Sequence, residues 1–314
     1  MITIGLVGLG SDTKTHIKIL NNLPDFNLVG LFDPYFNTRN ISPDLKIPTF
    51  STSEELFNEV DAIDIPNPTN TYYDLTVNAL KKSKHVFLET SLTNSLEEAD
   101  YLKKLAQEAN VTCQVGQAEK YNPAFDAAKS FFNNPLFIEI EHHKAYISSE
   151  ETNHIVNNLV NDINIVFNIS KSNIKKIVAN GIPVCKSLSD IINARIEFDN
   201  GCVASVIINH ISGENSYICR IYQLGMMIMI DFKNRNTIIT RLGSKNNKDH
   251  PEKYPAGELK IEKPDIPQYN TLNKELTDFH KSIQNNNSSS ENIENENNAL
   301  FAAHQIIEIL KRNS

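Results

Sequence analysis

The chain has 314 residues, enough for two domains that each bury a core of their own. Its net charge of −8 argues against nucleic acid or an anionic membrane as the main partner, because both ask for basic surface. Cys113, Cys185, Cys202 and Cys219 are scattered with no Cys-x-x-Cys pair, no apolar run approaches the roughly 20 residues of a membrane span, and no basic-then-apolar leader precedes the first strand. Reduced thiols, no zinc site and a cytoplasmic location are therefore expected.

Ile2 to Val7 is an apolar run too short for a buried helix, and it reads as a strand covered on both faces. Gly8-Leu9-Gly10 ends it, and Ile17, Leu20 and Leu23 then recur on one face of a helix. A second strand, Leu28 to Phe32, closes on Asp33. Strand, glycine turn, helix, strand and terminal acid make a βαβ unit of the dinucleotide-binding kind, with the pyrophosphate on the helix N-terminus and the acid on the ribose hydroxyls. Gly8 and Gly10 fill the first two positions of Gly-x-Gly-x-x-Gly, and Ser11 and Asp12 lie within the turn. Thr13 takes the third position, where it is expected to push the helix outward and weaken the cofactor grip. Asp33 repels a 2′-phosphate, so NAD is preferred over NADP.

Pro34 to Phe50 reads as a loop, followed by a short helix capped by Ser53. Ala62 to Ile65 is the next strand. It ends at Pro66-Asn67-Pro68-Thr69, a loop at the sheet edge where doubly wound folds bind ligands, which makes Asn67, Pro68 and Thr69 cofactor-side candidates. A helix over Tyr73 to Lys82, the strand His85 to Glu89, a helix from Ser95 through Ala109 and a strand Val111 to Val115 complete a parallel sheet covered on both faces. Gln117, just beyond the last strand end, is a further cofactor-side candidate.

The rhythm changes near Asn122-Pro123, so a first domain is placed at 1–120 and a second at 121–314, with the final helices able to return to the first. A helix (Ala124 to Phe132), a strand (Phe137 to Glu141) and a helix from His154 to about Phe167 come first. Ile191 to Phe198 and Cys202 to His210 then form a hairpin about Asn200-Gly201. Tyr217 to Leu224, Met226 to Phe232 and Thr237 to Arg241 continue an antiparallel sheet. Gly243 to Gly257 reads as a polar loop or lid, and Asn285 to Asn298 as a solvated, low-complexity loop between two amphipathic helices. The fold class is thus an α/β Rossmann domain, a doubly wound parallel sheet, followed by an α+β domain with a largely antiparallel open sheet. Val203, Ser205 and Ile207 alternate with Ala204, Val206 and Ile208, so neither face of that strand is polar, and a homodimer or homotetramer through this sheet is expected.

Five stretches together resemble the glucose–fructose oxidoreductase / inositol dehydrogenase (Gfo/Idh/MocA) family over nearly the whole chain. They are Gly8 through His16, Asp61-Ala62-Ile63 through Thr69, Lys84 to Glu89, Glu119-Lys120-Tyr121-Asn122-Pro123-Ala124, and Phe198-Asp199-Asn200-Gly201. The resemblance implies an NAD(P)-dependent oxidoreductase acting on a sugar, polyol or nucleotide-sugar. It also implies that Glu89 touches the nicotinamide ribose; His16 and Tyr72 are read as packing on the cofactor side.

In that family a Lys follows the Glu and a helix His assists it. Here Thr90 stands in the Lys position, and the helix reads Asn157, Asn161 and Asn164 on one face, with Asn161 where the His is expected. Thr and Asn orient a hydroxyl but cannot act as bases near neutral pH, and losing acid–base help costs about 10²–10⁴-fold in rate. Tyr121, Lys120 and Asp162 are the ionisable candidates left, with Asp162 also read as a structural carboxylate on an apolar stripe; His142 and His143 alternate on one strand, so at most one of them faces a cleft. The alternatives to an enzyme are a non-catalytic sensor of NAD and a sugar, and a structural partner that keeps the fold without a ligand.

Overall fold

The computed structural model describes residues 1–35, 47–67, 72–90, 93, 95–145, 152–185, 190–242, 259–285 and 290–313. The chain divides into two compact units, Met1–Ala118 with Tyr269–Asn298, and Glu119–Gln268 with Ala299–Ser314.

The first unit alternates strand and helix: β1 (Ile2–Val7), α1 (Thr13–Leu20), β2 (Phe26–Phe32), α2 (Ser53–Glu59), β3 (Ala62–Ile65), α3 (Tyr73–Lys81), β4 (His85–Leu88), α4 (Leu96–Glu108) and β5 (Cys113–Val115). All pairings are parallel, in the order β2-β1-β3-β4-β5. The chain runs outward from β1 to β2 and then crosses back to β3 on the other side, so the order reverses at the carboxyl end of β1, the place where such sheets take ligands. Both sheet faces are dry. Leu56, Phe57, Leu80 and Leu102 cover one, and Ile17, Leu20, Leu31, Phe87, Leu276 and Phe279 the other. Helix α2 is capped by Thr52, not Ser53: Thr52 is still extended and its hydroxyl accepts from the Glu55 N–H at 3.2 Å, while Ser53 already lies in the first turn.

The second unit holds α5 (Pro123–Ala128), continued by a 3-10 turn over Lys129–Phe131, then β6 (Phe137–Ala145), α6 (Thr152–Ser170), β7 (Ile174–Ile182), β8 (Ile191–Phe198), β9 (Val203–Ser212), β10 (Ser216–Gln223), β11 (Met226–Asp231), β12 (Asn236–Leu242) and β13 (Leu259–Glu262). They form an eight-stranded sheet ordered β13-β12-β11-β10-β6-β9-β8-β7, antiparallel but for the β6–β9 pair. Strands β7 and β13 have no counterpart in the sequence reading. Both are edge strands, which pair on one side only and carry the polar, turn-like residues that edges favour, here Lys175-Lys176 and Asn180-Gly181 in β7.

On β9, Ala204, Val206 and Ile208 are buried while Val203, Ser205 and Ile207 stay half-exposed. Helices α7 (Thr271–Gln284) and α8 (Ser290–Asn313) end the chain. The start of α8 corrects the expected loop over 285–298 from residue 290 onward, while 286–289 lie outside the described residues. Its polar residues are helical because they find polar partners: Asn297 donates to Asp100 at 2.9 Å, Glu294 pairs with Lys103 at 3.7 Å, and Glu296 is buried. The expected polar loop or lid at 243–257 lies outside the described residues.

Helix α7 belongs to the first unit through Phe279, which is fully buried with ring centroids 5.6 Å from Phe87 and 6.4 Å from Phe26. Phe279→Ala is expected to cost about 3–5 kcal/mol, as large aromatic truncations in packed cores do. Urea unfolding of wild type and variant measures it, and a loss within the noise of the midpoint would mean the core closes without α7.

Candidate functional site

In the first unit the site is built at the end of β1. Gly8 has φ +105°, a backbone conformation that side chains with a Cβ rarely adopt, and a Cβ there would sit 3.1 Å from the Tyr72 ring. A Cβ on Gly10 would land on the Asn67 carboxamide. Asn67 in turn clasps Asp12, donating from Nδ2 to its carboxylate at 2.7 Å and accepting the Asp12 N–H at 3.3 Å, while Ser11 donates to the same carboxylate at 2.8 Å.

Thr13, expected to push the helix outward, hydrogen-bonds within the turn. Its hydroxyl accepts the Gly10 N–H at 2.9 Å and donates to the Gly8 carbonyl at 3.2 Å, so it closes the turn from inside. Asp33 is buried at the end of β2, where it accepts the Leu9 N–H at 2.6 Å, the Tyr35 N–H at 2.7 Å and the Tyr72 hydroxyl at 3.3 Å. Burial, followed by the charge of Asp33 and the hydrogen bond to it, pushes the Tyr72 pKa up to about 12, so Tyr72 stays a donor.

A bare backbone at Gly8 and Gly10, the N-terminus of α1 directly after it and an acid at the end of β2 fit a dinucleotide. Pro68 and Thr69, the other loop candidates, lie outside the described residues.

Beneath the turn is a buried ionic group. His16 and Asp64 are both fully buried, with Nδ1 2.8 Å from Asp64, and His16 Nε2 lies 3.3 Å from Glu89, whose side chain is 30 % exposed. Burial opposes the imidazolium and is the largest single influence. The charge and hydrogen bond of Asp64, joined by Glu89, outweigh it and push the His16 pKa up to about 10. Thr90, next along the chain, is exposed. Gln117 is buried. Its N–H donates to Glu275 at 2.7 Å and its carboxamide reaches Glu296 at 3.5 Å, so this residue meets the returning helices.

In the second unit a polar cluster sits inside an otherwise apolar interface between α6 and the sheet. Asp162 is fully buried and its Oδ1 lies 3.3 Å from His142 Nδ1. Asn158, one turn earlier, accepts from Lys144 at 3.1 Å and meets His210 Nε2 at 3.1 Å. His142 stacks face to face on Tyr217, with centroids 4.1 Å apart and planes 9° apart. The Tyr217 hydroxyl is driven well above its ordinary range, first by burial and then by the charges of Asp162 and Glu119. Burial, then the charge of Asp162, raises the Glu119 carboxyl, while His142 and Lys144 pull it the other way. Lys120 and Tyr121 are half-buried beyond β5, with the ammonium 5.8 Å from the ring centroid.

The expected face of α6 was Asn157, Asn161 and Asn164. Of these Asn157 and Asn161 are half-buried and Asn164 is buried, yet the residues that engage the sheet are Asn158 and Asp162. Glu119, Lys144, His210 and Tyr217 were not singled out from sequence. The signal was present: Asn158 and Asp162 are four apart on the apolar stripe with Leu159 and Val166, where a buried polar group must find a partner, and His142 and Lys144 share one face of β6.

Residues 2–117 match the oxidoreductase family with an NAD-binding Rossmann fold, Gfo/Idh/MocA. It is 23 % identical over 282 residues, 89 % of its length and 88 % of the relative's, to UDP-N-acetylglucosamine 3-dehydrogenase of Acidithiobacillus ferrooxidans. The solved structure of that enzyme superposes with a TM-score of 0.87 at 21 % identity, covering 99 % of this chain and 98 % of that one. The scyllo-inositol 2-dehydrogenase (NAD(+)) of Bacillus subtilis is 31 % identical over 133 residues, 41 % of this chain and 39 % of that protein. A levoglucosan dehydrogenase solved with NADH and L-sorbose shares the fold at a TM-score of 0.82 and 14 % identity, over all of this chain and 97 % of that one.

Two outcomes follow from the geometry. Thr13→Val removes the acceptor of the Gly10 N–H, worth about 1 kcal/mol, and is expected to weaken NADH binding about fivefold by fluorescence titration. An unchanged affinity would mean the turn holds its shape without the hydroxyl. His16 has its folded pKa raised above the unfolded value, so its stabilisation is fully present below pH about 6.5 and is lost as pH rises toward about 10. Urea unfolding across that window is expected to show a decline in stability that His16→Gln abolishes.

Proposed function

We propose that this protein is an NAD-dependent oxidoreductase that oxidises a secondary hydroxyl of a sugar, polyol or nucleotide-sugar. The observation that carries the reading is the glycine turn at Gly8 and Gly10, tied by its Leu9 N–H to the buried Asp33. The relatives that oxidise UDP-N-acetylglucosamine and scyllo-inositol support it. Bound NAD supplies the hydride acceptor. The backbone of Gly8 to Thr13 and the N-terminus of α1 would hold its pyrophosphate, Asp33 would disfavour a 2′-phosphate and so favour NAD over NADP, and Glu89 would take the nicotinamide side. Asn67 and Tyr72, which line the glycine turn, add to the cofactor side.

On the substrate side, Lys120, Tyr121 and the buried cluster around Asp162 offer donors and acceptors to a polyhydroxylated ligand, with Asn161 and Thr90 able to orient a hydroxyl but not to take its proton. The half-exposed face of β9, with Val203 and Ile207, supports self-association through the sheet as a dimer or tetramer.

The test is NADH formation with UDP-N-acetylglucosamine, scyllo-inositol and glucose 6-phosphate, alongside NAD and NADP titrations. NAD is expected to bind more tightly than NADP, and Gly10→Val is expected to lose NAD while staying folded. Tight binding of NAD and a sugar with no turnover at any pH would make the protein a sensor in place of an enzyme.

A further inference from the structure

We infer that a cavity of about 420 Å³ in the second unit, bounded by His142, Lys144, Asn215, Ser216, Tyr217 and Lys233, takes the phosphate of an anionic substrate. The inference rests on the proposed oxidoreductase activity. It narrows the substrate to a phosphorylated sugar or a nucleotide-sugar, away from a neutral polyol. Every residue that bounds the cavity belongs to the second unit.

Two ammonium groups border the cavity without an acid of their own. Lys144 Nζ donates to Asn158 Oδ1 at 3.1 Å and Lys233 Nζ to the Asn215 carbonyl at 2.8 Å. Both acceptors are neutral, and neither lysine forms an ion pair among the described residues. The chain has 38 acidic side chains to 30 basic ones, so its composition does not favour a cation without a carboxylate. Elsewhere in the same sheet the carboxylates are supplied. Arg220 lies 2.9 Å from Glu139 and 2.8 Å from Glu141, and Arg241 lies 3.2 Å from Glu262. The acids of the buried cluster do not fill the gap: Asp162 faces His142 at 3.3 Å, and burial raises the Glu119 carboxyl toward its neutral form.

The lysines are also held in place. Asn158 is buried and meets His210 Nε2 through its Nδ2 at 3.1 Å, so its oxygen is the atom given to Lys144. Asn215 ties the other wall. Its Oδ1 accepts the Ala145 N–H at 2.6 Å while its carbonyl receives Lys233, which is exposed at the rim. Ammoniums anchored in this way lose less side-chain freedom when an anion arrives. Two charges, with further donors from Ser216 and Asn215, suit a phosphate, which carries about two negative charges and three acceptor oxygens. The stacked rings of His142 and Tyr217 add apolar surface for the carbon skeleton that bears it.

The experiment is calorimetric titration with glucose 6-phosphate, UDP-N-acetylglucosamine and UDP, against glucose and scyllo-inositol as neutral comparators, each with and without saturating NADH. Wild type is expected to bind at least one phosphorylated compound about tenfold or more tightly than both neutral ones, and added salt should erode that preference. Lys144→Gln is expected to weaken phosphate binding about 10–100-fold and Lys233→Gln about threefold, with urea midpoints near wild type. Lys144→Arg should keep the preference, and Lys176→Gln, on the edge strand β7, should change nothing. Tight binding of UDP would assign the site to a diphosphate, and tight binding of glucose 6-phosphate alone to a monophosphate. Equal affinity for phosphorylated and neutral compounds would overturn the inference. So would a phosphate affinity that the folded lysine variants leave unchanged, or binding of none of the five compounds. NADH formation is read separately. Oxidation of scyllo-inositol by a protein indifferent to phosphate would remove the phosphate site and leave the oxidoreductase, whereas a lysine-dependent phosphate preference without NADH formation would do the reverse.

Discussion

Asp162 and Asn158 enter an apolar interface, and a carboxylate or carboxamide buried there must be paired or the fold loses several kcal/mol. Helix α6 meets that demand with two residues four apart, so that both point to the same side. The sheet answers with His142, Lys144 and His210 from β6 and β9. Those strands run parallel and in register, His142 opposite Ile208, inside a sheet that is otherwise antiparallel. The polar set is thus placed by two central strands and one long helix rather than by loops, and its geometry is rigid enough to serve as a chemical site.

The first unit solves a related problem with charge. His16, Asp64 and Glu89 put an imidazolium between two carboxylates under the glycine turn. Asp33 accepts from Leu9, Tyr35 and Tyr72, binding the turn to the end of β2. Removing one member of either group strands its partners, which costs more than the pair itself contributes. The carboxylate of Asp12 adds negative charge near the place for a pyrophosphate, but Asn67 and Ser11 occupy it.

The two units carry different chemistry. One presents a bare backbone and a helix N-terminus, the means by which proteins hold phosphates, and the other presents a cavity with an imidazole, an ammonium and hydroxyls. The absence of Lys at residue 90 and of His at residue 161 does not by itself remove proton transfer. A base is defined by its distance, orientation and protonation rather than by the element that carries it.

The βαβ opening, the parallel sheet and the Asn200-Gly201 hairpin were legible because each depends on local chemistry: periodicity, turn residues and a strand-end acid. The family resemblance rested on the same local motifs. What escaped was non-local. Edge strands β7 and β13 mix apolar residues with charges and gain strand form only by pairing with β8 and β12, the start of α8 finds polar partners in Asp100 and Lys103, and Thr13 hydrogen-bonds within the turn beside which it was expected to push the helix outward. On α6 the sequence pointed to Asn157, Asn161 and Asn164. The apolar stripe also placed Asp162 inward, but that its partner there is His142 was decided only when strands far apart in sequence came into register.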